Sequence, residues 1–106
     1  MAGTFTPKVL AEGQLASSKG TIYTVPSSTS AYIKQITFYN TNASTQTIAL
    51  YLKPGSTSRQ IARYVLAQNE FVIFDFSTLL EAADLIEASS TNATAVDYII
   101  TGLEET

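Results

Sequence analysis

The sequence predicts an all-β domain, a small sandwich or barrel, and three observations predict it. Short apolar runs recur about every eight to twelve residues between clusters of turn formers. Within the runs, apolar and polar residues alternate with a period of two, so each strand offers one face to a core. Ser and Thr fill 26 of 106 positions, and β-branched and aromatic residues suit a pleated, half-buried surface.

The elements follow in chain order. Residues 1–8 read as an arm, because Gly3 and Pro7 discourage regular structure; residues 9–106 form a single domain, with no linker or repeat. The run ending at Val25 is closed by Pro26-Ser27-Ser28-Thr29-Ser30. Ile36 and Phe38 then alternate with Gln35, Thr37 and Tyr39, and Asn40-Thr41-Asn42-Ala43-Ser44 makes the next loop. Ile48, Leu50 and Leu52 alternate with Thr47, Ala49 and Tyr51, up to a Pro54-Gly55 pair suited to the central positions of a type II turn. Phe71-Val72-Ile73-Phe74 is apolar on both faces, which marks either a central strand or one covered by a partner subunit. Val96, Tyr98 and Ile100 point one way along the last strand, Asp97, Ile99 and Thr101 the other.

Residues 77–87 compete with this pattern. Leu79, Ala82, Ala83 and Ile86 sit at helical spacing, and Thr78 with Glu81 has the form of a capping box. The expectation is a β reading with one short helical turn near residues 78–82.

Composition excludes several chemistries. The chain has no His, Cys or Trp. Without His there is no imidazole base for a Ser or Cys nucleophile. Without His or Cys, structural zinc, haem and iron–sulfur ligation lose their usual donors. No Gly-rich phosphate loop or nucleophile elbow occurs. Glu81, Asp84 and Glu87 form the one tight carboxylate cluster, but their spacing matches no calcium loop and reads as a solvated acidic edge. The expectation is a protein that is not an enzyme and carries no cofactor or metal. No apolar stretch approaches a membrane span, and the first residues lack the form of a secretory leader, so no membrane partner is expected.

Charge is uneven along the chain. Residues 1–69 hold all six Lys and Arg and one acid, for +5; residues 70–106 hold eight acids and no base, for −8; together they give the overall −3. An acidic chain without a basic cluster is not expected to bind nucleic acid. Two readings of the asymmetry stay open. Strands from both halves interleave and average it out, or one lateral surface is basic, the other acidic, and identical copies join head to tail. Charged residues make up 14% of the chain, against the usual quarter, which fits an exterior packed against neighbours. Arg59 and Arg63, four apart on a strand, are expected to project from one side, toward carboxylates of a neighbour, an anionic ligand or simply solvent. Six Tyr, including Tyr64, read as core rim and subunit contacts, or alternatively as a glycan-stacking platform.

Certain segments look familiar together. They are Gly20-Thr21-Ile22-Tyr23-Thr24-Val25-Pro26, Ala31-Tyr32-Ile33-Lys34-Gln35-Ile36 continuing to Asn40, and Leu80-Glu81-Ala82-Ala83-Asp84-Leu85-Ile86 followed by the final strand. This sequence resembles small virion proteins of tailed bacteriophages, whose pattern carries Gly where this chain has Ala83. The resemblance implies a jelly-roll-like antiparallel β-sandwich. It implies a capsid decoration, or cement, protein on the virion surface, made in the bacterial cytoplasm, often trimeric, clamping the major capsid protein. A small tail, baseplate or fibre component, or a glycan-binding module, is the alternative. Phe5, Val9 and Leu10 of the arm, with Arg59, Arg63 and Tyr64, are the residues expected to meet partners.

Overall fold

The structure is a computed structural model and describes residues 4–106, the side chain of Phe76 apart. Eight strands form, with no helix among the described residues: β1 (Phe5–Gln14), β2 (Gly20–Thr24), β3 (Ser30–Asn40), β4 (Gln46–Lys53), β5 (Arg59–Leu66), β6 (Phe71–Leu80), β7 (Leu85–Ser89) and β8 (Val96–Glu105). They build two four-stranded antiparallel sheets, sheet A in the order β1-β8-β3-β6 and sheet B in the order β2-β7-β4-β5.

The pairing explains the order. Strand β1 pairs with β8, β2 with β7, β3 with β6 and β4 with β5, as in one long hairpin folded at the β4–β5 turn. Rolling that hairpin adds the β3·β8 and β4·β7 pairings and closes the eight-stranded jelly roll. The β-sandwich expectation is borne out.

Period-two alternation fills the space between the sheets. Ile33, Ile36, Phe38 and Ile100 from sheet A meet Ile48, Leu50 and Ile86 from sheet B, all essentially inaccessible to solvent. Each such side chain contributes roughly 1.5–3 kcal/mol by leaving water. Two buried amides finish the open end of the roll. Asn40 donates through Nδ2 to the Ser44 and Leu66 carbonyls, each at 3.0 Å, and accepts from the Asn42 amide at 2.8 Å. Gln46 pairs with Asn92 in both directions, at 2.9 and 2.8 Å. Their polar atoms are thereby satisfied at full burial.

Every sheet edge is irregular. Register slips by one residue at Leu10 in β1, at Ile22 in β2, at Ile61 in β5 and around residues 76–77 in β6, and Pro7 removes a donor from β1. Bulges and Pro are the devices that stop sheets from pairing edge to edge. In sheet A the slips at Leu10, Lys34 and residues 76–77 lie close to one level, so they crease the sheet. Gly102 sits at that crease because a Cβ there would overlap the Tyr32 carbonyl oxygen.

Four expectations are corrected. Residues 78–80 continue β6 rather than starting a helix: Leu80 is buried opposite Ala31 and Leu79 points outward opposite Tyr32. Long-range pairing to β3 outweighs the local capping-box pattern, and the Glu81 amide donates to Asp84 Oδ2 instead. A tight turn follows, in which the Asp84 amide donates to the Glu81 carbonyl and Ala83 takes a φ of 72°. Second, Phe5–Lys8 of the expected arm open β1 and pair with Gly102–Glu105, and Thr4 exchanges backbone bonds with Thr106; residues 1–3 lie outside the described residues. Third, of the two readings of Phe71–Phe74 the central strand is excluded, because β6 is an edge strand of sheet A. The fourth concerns Arg59 and Arg63, below. The chain does turn after Pro54, with Gly55 at a φ of 85°, but the turn residues are Gly55 and Ser56, one position later than the expected Pro54-Gly55 pair.

Candidate functional site

The two outer faces of the sandwich differ in chemistry. Sheet B presents Thr21, Thr47, Tyr51 and Glu87 outward, with Lys19 stacked 5.0 Å above the Tyr51 ring. Sheet A presents large apolar side chains. Toward one end Phe5, Val9, Tyr32 and Leu79 project from β1, β3 and β6, and Phe5 touches Tyr32 at 6.3 Å between ring centres. Toward the other end Tyr39, Phe71, Ile73 and Ile99 do the same, with Phe71 61% exposed.

Eight large side chains on one face, each about half exposed, offer on the order of 700 Å² of apolar surface. That exceeds the few hundred Å² common on monomers and approaches the roughly 800 Å² per side of a standard protein interface. Water in contact with this face is displaced favourably by any apolar surface of matching shape. Its charged members are Glu12, Asp75, Asp97 and Glu105 against Lys34, so the face is acidic as well as apolar. Asp75 accepts from Gln35 at 2.9 Å and Asp97 from Gln14 at 3.1 Å, each bond running across to the residue opposite on the neighbouring strand.

A second patch lies on β5. Ile61, Tyr64 and Val65 are exposed there, Tyr64 meeting Phe74 of β6 edge-on at 6.5 Å. Arg59 and Arg63 flank this ridge but do not share a face. The bulge at Ile61 shifts the register, so Arg63 stands opposite outward-facing Ala49 and Arg59 opposite core-side Leu52.

Of the residues expected to contact partners, Phe5 and Val9 stand on the apolar face and Tyr64 on the ridge. Leu10 turns inward, packs against the core and covers Gly102. Leu79, Ile99 and Tyr32 were not named from sequence as contact residues. The two-sided apolar run at Phe71–Phe74 and the Ile99-Ile100 pair were the available signals.

The remaining polar groups are structural. Asp84 accepts from the Glu81 and Gly55 amides and Glu87 from the Ser58 hydroxyl, so the carboxylate cluster ties turns together. Glu104 accepts from the Tyr23 hydroxyl at 2.6 Å and from Lys8 Nζ at 3.1 Å. The Tyr23 bond, aided by Lys8 and opposed by burial, holds the Glu104 carboxyl below the usual range. Burial, then the Glu104 contact, pushes the Tyr23 hydroxyl well up; burial and then the charge of Glu12 raise Tyr98. No group of three or more acidic side chains forms a metal cage among the described residues. The six Tyr are dispersed: Tyr23 and Tyr98 face inward, Tyr32 and Tyr39 lie on sheet A, Tyr51 on sheet B and Tyr64 on the ridge.

No family model matches this chain, and no curated protein matches it. Solved structures do. A subunit of Bacillus endospore appendages, described as a novel family of disulfide-linked pili, aligns at a TM-score of 0.55 and 19% identity, over 98% of this chain and 89% of that one. What is shared is the fold. A pentameric capsid protein from metagenomic phage sequences aligns at 0.44 and 19% identity, over 91% of this chain and 59% of the other. The Clostridium thermocellum xylanase 10B fragment, with its CBM22-1 and GH10 modules complexed with xylohexaose, aligns at 0.41 and 15% identity, over 99% of this chain and 24% of that one. This chain has no Cys, so the disulfide linkage named for the pili has no counterpart in it.

Proposed function

We propose that this chain is a non-enzymatic structural subunit that docks through the outer face of sheet A, and that its assembly is a tailed-phage virion, with the capsid surface as its place. The carrying observation is the apolar face spanning β1, β8, β3 and β6; among the described residues, sheet B exposes large apolar side chains only along its β5 edge. The sequence resemblance supplies the virion and the major capsid protein as partner. Binding only the assembled shell stabilises that shell by mass action, and many copies multiply a modest contact.

The experiment is an occupancy measurement on purified particles, with image reconstruction to place the chain. Phe71→Ser combined with Ile99→Ser removes two exposed apolar groups, so the urea midpoint stays put while occupancy falls at least tenfold. Full occupancy by the double variant, or saturable sugar binding abolished by Tyr32→Ala, overturns this reading.

A further inference from the structure

The sequence places its bases early and its acids late, and the fold turns that order into separate surfaces. Strands β4 and β5 carry Lys53, Arg59 and Arg63 and no acid. The outer face of sheet A carries Glu12, Asp75, Asp97 and Glu105, with Lys34 as its base. Each surface is also apolar: Ile61, Tyr64 and Val65 on the β5 ridge, and the eight side chains described above on sheet A. The two surfaces belong to different sheets of one sandwich, which touch along this side through Tyr64 and Phe74.

We infer that copies of this chain associate head to tail, the basic β5 ridge of one seating on the acidic apolar face of sheet A of the next. The inference rests on sheet A being a docking face and names a second copy as an occupant. Three physical arguments select this geometry. A two-fold pairing of sheet A with itself would set Glu12, Asp75 and Asp97 against their own kind across a desolvated interface, where like charges cost heavily. Edge-to-edge pairing is opposed by a bulge in every edge strand and by Pro7. The ridge, by contrast, is narrow, with Arg63 on its outer flank and Arg59 on its inner one, so both guanidiniums can reach carboxylates while Ile61 and Val65 meet apolar surface. Such a contact joins unlike patches, so it closes into a ring or continues as a filament, as the rotation between neighbours dictates.

A charge-swap experiment on the full chain tests this. Sedimentation velocity over a concentration series measures association of the wild type, of Arg59→Glu/Arg63→Glu, and of Glu12→Lys/Asp75→Lys. Each double variant should associate at least tenfold more weakly than the wild type, because its ridge and its sheet A face now carry one sign. An equimolar mixture of the two should recover association, since each ridge then finds an opposite face. All four substitutions are at exposed positions, and circular dichroism of each variant verifies the fold. Undiminished association of Arg59→Glu/Arg63→Glu, a mixture that stays dissociated, or a wild type that remains monomeric overturns the inference. A monomeric wild type that still occupies purified particles through sheet A overturns this inference alone and leaves the proposed function standing.

Discussion

Replacing Ala83 with Gly should stabilise the protein. Ala83 is the third residue of the Glu81–Asp84 turn and has a φ of 72°, the left-handed region that type II turns demand at this position. Its amide donates to the Val25 carbonyl at 3.0 Å and the Val25 amide donates to the Asp84 carbonyl at 3.0 Å, so the turn is anchored to the end of β2 and cannot relax. An L-residue held left-handed costs roughly 1–2 kcal/mol. Gly avoids that cost but gives about 0.5–1 kcal/mol back through the greater freedom of its unfolded chain. The net expectation is a gain of about 0.5–1 kcal/mol, read as a higher urea midpoint at unchanged slope. Ala82→Gly is the internal control. Ala82 lies in the same turn without a positive φ, so Gly there only adds unfolded-state entropy and lowers the midpoint. Equal shifts from the two variants, or a loss from Ala83→Gly, would refute the strain argument.

Asn40→Ala removes three hydrogen bonds, two to carbonyls and one from an amide, at a fully buried position. At about 1 kcal/mol each, with the Leu66 carbonyl left buried and unpaired, the loss should reach roughly 3–5 kcal/mol in urea unfolding; a loss under about 1 kcal/mol would mean that water replaces the amide. Stability should also depend on pH at both extremes. The Glu104 carboxyl is lowered in the fold, so its contribution is present above the ordinary value of 4.5 and disappears as pH falls through its folded value. Tyr23 and Tyr98 are raised, so the folded chain holds protons that the unfolded chain releases near 10.0, and stability falls as pH rises beyond that. Tyr23→Phe should flatten much of the alkaline decline and part of the acid decline; a uniform offset of the whole curve would detach Tyr23 from both.

Much of the fold was legible because burial imposes a period on sequence. Ile36 and Phe38, or Ile48 and Leu50, alternate with polar neighbours whatever strands lie beside them, and Pro54-Gly55 announces its turn through its own backbone limits. What escaped was set by distant partners. The Ile61 bulge separates Arg59 from Arg63 only because β4 fixes the register. The helical look of residues 78–86 yields to ladders with distant strands: Thr78–Leu80 pair with Ala31–Ile33 of β3, and Leu85 and Ile86 pair with β2 and β4. The apolar face of sheet A was legible only in part for the same reason: Phe5 and Val9 stood out in the sequence, but Tyr32, Leu79 and Ile99 are single exposed apolar residues in separate segments. Only the strand order of sheet A makes them neighbours.

The pairing of β1 with β8 has a consequence for how the chain is made. Among the described residues β8 is the only strand that hydrogen-bonds β1, with Phe5 opposite Glu105 and Thr4 exchanging backbone bonds with Thr106. During translation β1 emerges before every other strand and its mate leaves the ribosome after all of them. Sheet A therefore cannot complete vectorially, and the β1 backbone and Leu10 stay without their partners until β8 has emerged. A topology so dominated by distant pairings folds slowly and leaves adhesive surface open meanwhile. A nascent chain stalled just before residue 96 should therefore be digested by a protease within its first strand, and one stalled well beyond residue 106 should resist.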